Sequence, residues 1–142
     1  MTRGSLQGAG ALLAVSLANS GAALAQADVD FGKREYMANC AVCHGTAGNG
    51  AGYYEGFLKQ RPTDLTLLAR RNGGVFPYQS VYEGIDGRRL VAAHGSRDMP
   101  VWGDDYYAKG ASYETTGVFN PEAYVRARII SLVDYLYRIQ VQ

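Results

Sequence analysis

The chain has 142 residues, 47% of them hydrophobic and 19% charged, with 14 Lys+Arg against 13 Asp+Glu and only two cysteines and two histidines. That length suits one domain, and the composition excludes a disordered chain, a collagen-like repeat and a disulfide-dense scaffold. A net charge of +1 gives no electrostatic reason to bind nucleic acid.

The first segment reads as an address label. Arg3 is followed by an Ala/Leu-rich run from Leu6 to Ala18 and by the small-x-small ending Ala23-Leu24-Ala25. These are the parts of a cleaved secretory signal peptide spanning residues 1–25, with Ala27 as the alternative cleavage point. A first helix of the mature fold and an uncleaved anchor are the competing readings. Gln7, Ser16 and Asn19 interrupt the run short of the ~20 apolar residues that a membrane span needs. Residues 26–142 are then one mature, exported domain of zero formal charge with no membrane span, expected in the bacterial periplasm, an oxidising compartment.

In the mature chain Asp30 can cap a helix running to about His44, with Gly32, Tyr36, Cys40 and Cys43 along one stripe. A glycine-rich loop, Thr46 to Gly56, follows. Arg61-Pro62-Thr63 leads into a short helical pattern from Asp64 to Arg71, stopped by Gly73-Gly74. Pro77 to Ile85 is a second short helix, with Val81, Tyr82 and Ile85 on one side. Arg88 to Phe119 contains Gly95, Pro100, Gly103, Gly110 and Gly117 and reads mainly as a long folded loop. Asn120-Pro121-Glu122 opens the last helix with a cap residue, a proline at the first helical position and an acid suited to the helix dipole. Its buried stripe is Val125, Ile129, Leu132, Val133 and Leu136. No segment alternates with period two, so the fold class is all-α. A helical domain this small with so much loop needs a large apolar object to wrap around.

Cys40-Ala41-Val42-Cys43-His44 supplies that object. On a helix, positions i, i+3 and i+4 share a face, so both thiols can add across the two vinyl groups of a haem while the imidazole stands over one side of the iron. C-x-x-C-H is the attachment pattern of haem c. A zinc half-site lacks a second ligand pair, a thioredoxin-like pair belongs in a βαβ unit, and a bare disulfide leaves His44 and the loops unexplained.

The mature chain resembles the class I c-type cytochromes, the monohaem cytochrome c family, in a bacterial periplasmic form. The likeness covers nearly all of it: Gly32 and Tyr36 ahead of the Cys40–His44 motif, Pro62 after the loop, Met99-Pro100, and the terminal Leu132-Val133-Asp134-Tyr135-Leu136. It implies a small orthogonal helical fold with long loops wrapped around one covalent haem c. It also implies that Gly32 and Tyr135 meet where the first and last helices cross, and that the Pro62 carbonyl orients His44.

The distal iron ligand must come from elsewhere in the chain. Met37 lies on the helix of His44 and cannot reach the other haem face, which leaves Met99 and His94. Met99 is preferred, since a soft thioether favours ferrous iron. His94 and an open site remain the alternatives. Haem propionates want hydrogen bonds or positive charge. Arg97 and Trp102 are the candidates singled out, with Arg61, Arg70 and Arg71 behind them.

The expected function is a monomeric periplasmic carrier with His/Met ligation, not an enzyme. It would move single electrons from a donor dehydrogenase or quinol-oxidising complex to an acceptor oxidase or reductase. The alternatives are a haem enzyme or gas-binding cytochrome with an open distal site, and a dedicated subunit of a larger oxidoreductase.

Overall fold

The computed structural model describes residues 1, 30–88, 99–113, 117 and 119–141. The proposed signal peptide, His94 and Arg97 therefore lie outside the described residues. Among the described residues six α-helices stand in chain order: α1 (Phe31–Asn39), α2 (Ala41–His44), α3 (Leu68–Arg71), α4 (Tyr78–Asp86), α5 (Trp102–Ala111) and α6 (Pro121–Arg138). Short 3-10 turns cover Glu55–Phe57 and Leu65–Leu67. Among the described residues there is no strand, and no helix is long and apolar enough to cross a membrane.

Helix α6 is the spine. Asn120 caps it, its side-chain oxygen accepting from the backbone N–H groups of Glu122 (2.9 Å) and Ala123 (3.2 Å). Its stripe of Val125, Ile129, Leu132, Val133 and Leu136 is fully buried, as the spacing predicts. Each such side chain contributes roughly 1.5–3 kcal/mol of hydrophobic stabilisation. Three helices pack on this spine: α1, α4 and α5.

The crossing of α1 on α6 depends on Gly32. A Cβ there would overlap the Ser131 carbonyl and stand 2.9 Å from Tyr135 Cβ, so only a bare residue lets the backbones meet. One turn on, the rings of Tyr36 and Tyr135 pack with centroids 5.1 Å apart. Gly32 and Tyr135 meet as the family resemblance implies.

Two expectations about elements need correction. The first helix does not run unbroken to His44. It ends at Asn39, and Cys40 (φ −112°, ψ −36°) is the joint from which the single turn of α2 restarts. The larger correction concerns residues 88–119, read as loop, which contain the ten-residue helix α5. Gly103 and Gly110 suggested breaks there, yet both are buried contact points. Gly103 packs on Asp86 and Arg88, and Gly110 on Pro121 and Tyr124. The helix has its own supports as well. Asp104 and Asp105 lie in its first turn, Lys109 pairs with Asp105 at i, i+4 (2.6 Å), and Trp102 stacks on the buried Tyr106 at i, i+4 (5.9 Å).

Candidate haem site

Cys40 and His44 reach one apolar cavity from the end of α1 and from α2. The cavity measures about 290 Å³. Leu65 and Leu68 form one part of its wall, Val81 and Ile85 of α4 another, and Leu132 and Leu136 of α6 the floor. Met99 enters from the stretch ahead of α5, 55 residues beyond His44 in the chain. A thiol, an imidazole and a thioether thus converge on a mainly apolar surface that also carries Thr63 and Ser80. That donor set fits a flat apolar cofactor held covalently with nitrogen and sulfur axial ligands. Cys43, half-buried on α2, does not itself line the cavity.

The motif is held by backbone. The Cys40 carbonyl accepts from Cys43 N–H at 3.1 Å and His44 N–H at 2.9 Å, which keeps the Cys40–His44 turn helical. The His44 carbonyl accepts from Gly50 N–H at 2.8 Å, so the glycine-rich loop folds back against the motif. A Cβ at Gly50 would overlap the Pro62 carbonyl, and one at Gly52 would overlap the Cys43 carbonyl. Backbone lies on backbone at both places, which explains the glycines without any phosphate-binding role.

His44 Nδ1 lies 3.1 Å from the Thr63 carbonyl oxygen, one residue beyond the expected Pro62. The reason is steric: the Pro62 carbonyl is turned onto Gly50, which leaves the next carbonyl to face the imidazole. A carbonyl only accepts, so Nδ1 carries the proton and Nε2 keeps its lone pair for a metal. Burial pushes the His44 pKa below its ordinary 6.5 and outweighs the opposing effect of the Thr63 carbonyl. Burial likewise pushes the Cys40 thiol up to about 12, with the nearby Glu35 and Cys43 adding to it.

The back of the site carries polar groups of which only Tyr36 is marked in the sequence. The buried carboxylate of Glu35 accepts from Tyr106 Oη at 2.8 Å and Asn39 Nδ2 at 2.5 Å, and pairs with Arg128. Arg128 also donates to Tyr124 Oη at 2.7 Å. Tyr36, wholly buried, donates its hydroxyl to the Gly45 carbonyl at 2.6 Å. The chain end braces the Leu65 wall. Gln140 Nε2 donates to the Leu65 and Leu136 carbonyls, both at 2.7 Å, and its Oε1 accepts from Ala69 N–H at 2.9 Å.

Of the residues suggested as propionate contacts, none of those described lines the cavity. Trp102 stacks on Tyr106 and does not line the cavity. Arg61 is exposed and paired with Glu55 at 2.7 Å, Arg71 reaches the Asp64 carbonyl at 3.4 Å, and Arg70 borders a separate cleft beside Phe76 and Tyr137.

Fold and donor set define a small helical haem protein. A Cytochrome c family model matches residues 29–136, and the chain belongs to that family. It is accordingly a haem c electron-transfer protein whose cofactor is covalently attached. Neither the curated proteins nor the solved structures gave a match.

Proposed function

We propose that residues 26–142 form a periplasmic electron carrier in which one haem c is joined to Cys40 and Cys43, with His44 as proximal and Met99 as distal ligand. The observation that carries this reading is the convergence of Cys40, His44 and Met99 on one apolar cavity. When bound, the haem supplies reversible one-electron exchange at iron.

The chain supplies the rest. The Thr63 carbonyl holds the His44 Nδ1 proton and so fixes the ring orientation. The Met99 thioether favours the ferrous state and raises the potential relative to a second imidazole. With His44 and Met99 both holding the iron, oxygen and peroxide would be kept from it, which suits a carrier rather than a catalyst. The leucines and valine of the wall keep water away. Donors of the dehydrogenase or quinol-oxidising class and acceptors of the oxidase or reductase class follow from this chemistry.

The test is mass spectrometry of protein purified from the periplasm of cells that mature c-type haem. The reading predicts a chain beginning at Gln26, or at Asp28 for cleavage after Ala27, heavier by one haem. The peptide containing Cys40 and Cys43 carries the added mass. A colourless exported chain with a Cys40–Cys43 disulfide would overturn it.

A further inference from the structure

Arg88, just past the end of α4, serves two carboxylates at once. Its Nε donates to Asp86 Oδ1 at 2.6 Å, while Nη1 and Nη2 reach the two oxygens of Glu122 at 2.8 and 3.2 Å. Asp86 is the last residue of α4, and Glu122 lies in the first turn of α6. With side-chain exposures of 13% for Asp86 and 27% for Arg88, the inner pair is more sheltered than an ordinary surface ion pair.

The third party to this cluster is Gly103, the buried second residue of α5. A Cβ there would overlap Asp86 Oδ1, and would stand 2.6 Å from Arg88 Nε and 2.8 Å from the Asp86 carbonyl oxygen. The first turn of α5 therefore rests with bare backbone on the Asp86–Arg88 pair, where a carboxylate also suits the helix dipole. One cluster thus joins the end of α4 to the starts of α5 and α6. Its place matters for the site. Val81 and Ile85 of α4 line the cavity, and Met99 stands three residues ahead of Trp102, the first residue of α5.

We propose that the Asp86–Arg88–Glu122 cluster, seated on Gly103, is the positioning device that holds Met99 against the cavity and so sets the strength of the iron–thioether bond. This rests on Met99 being the distal ligand. None of the four residues touches the metal. Their role is to fix where α5 begins relative to α4, and therefore how far the Met99 thioether must stretch.

The test titrates the ferric holoprotein with imidazole and reads the loss of the weak near-infrared band of methionine-ligated iron. Gly103→Ala should raise imidazole affinity about tenfold, the size of an ordinary coupling between contacting residues, while covalent haem and the reduced α band stay intact. Asp86→Ala removes the atom that the new Cβ would overlap, while the residue 86 carbonyl and Arg88 stay in place. In that background Gly103→Ala should raise the affinity by clearly less than about tenfold. Arg88→Lys keeps the charge but cannot fork across two carboxylates, so it should raise the affinity as well, and it serves if Gly103→Ala fails to fold. A purely structural role would lower the melting temperature and leave the affinity of folded protein unchanged, which would overturn the proposal. So would an equal effect of Gly103→Ala in both backgrounds. A wild-type protein without the near-infrared band removes Met99 as ligand and this proposal with it. A normal wild-type band with unaltered affinity in the Gly103 and Arg88 variants overturns the clamp alone.

Discussion

Glu35 shows how a single residue can matter structurally while leaving little trace in the sequence. A glutamate next to Lys33 and Arg34 on a nine-residue helix reads as a solvated charge, yet it is 9% exposed and gathers Tyr106, Asn39 and Arg128 around it. Tyr106 and Arg128 lie 71 and 93 residues away, beyond the reach of any local pattern. Removing one partner of a sheltered ion pair leaves the other charge without compensation. Arg128→Met should therefore cost roughly 2–3 kcal/mol, somewhat below the full penalty because Arg128 is 40% exposed. Glu35→Gln, which keeps a polar group for Tyr106 and Asn39, should cost less. Denaturant unfolding of the holoproteins checks this order, and an Arg128→Met protein as stable as wild type would contradict it. The Cys40–His44 motif is the opposite case: five adjacent residues carry their chemistry openly, because spacing on one helical turn is itself the geometry.

Among the elements, legibility followed periodicity. Helix α6 could be read to its cap because Asn120, Pro121 and a clean apolar stripe all agree. Helix α5 was missed because its glycines look like breaks, and only the partners Asp86, Arg88, Pro121 and Tyr124 show them to be contacts. The shift from Pro62 to Thr63 behind His44 has a similar origin, since which carbonyl faces the ring depends on how closely Gly50 approaches. Two tests belong here. Gly32→Ala should cost about 3 kcal/mol or more, as its Cβ meets the fixed Ser131 carbonyl at the helix crossing. Gly110→Ala, whose Cβ would sit 3.2 Å or more from its neighbours, should cost far less, and equal losses would contradict the account. The start of α1 is pH-sensitive in a definite direction. The Lys33 backbone N–H, aided by Arg138, holds the Asp30 carboxyl below its ordinary 3.8. A depressed carboxyl stabilises the fold above that value and loses its effect as pH falls through the lowered one. The stability gap between wild type and Asp30→Ala should be full at pH 6 and shrink below pH 4, and a gap constant down to pH 2 would exclude this role.

Several elements of the described chain meet at one apolar cavity. Helix α6 gives the floor, α4 one wall, the Gln140-braced Leu65 segment another, and the glycine loop packs the Cys40–His44 motif from behind. That such a small helical chain takes a large apolar guest was legible from its C-x-x-C-H motif rather than from its loop content, since residues 88–119 contain helix α5. Which segments form the cavity's walls was not legible, since that rests on contacts between residues distant in sequence. The central claim is that Met99, delivered by this architecture, completes the iron's ligand set opposite His44. The most direct measurement is the absorption spectrum of the purified holoprotein, oxidised and dithionite-reduced, beside that of Met99→Ala. The account predicts sharp reduced α and β bands, a weak near-infrared band in the oxidised wild type, and loss of that band with a lower potential and rapid cyanide binding in the variant. A wild-type spectrum that is high-spin when oxidised, or a Met99→Ala protein with unchanged band and potential, would contradict it.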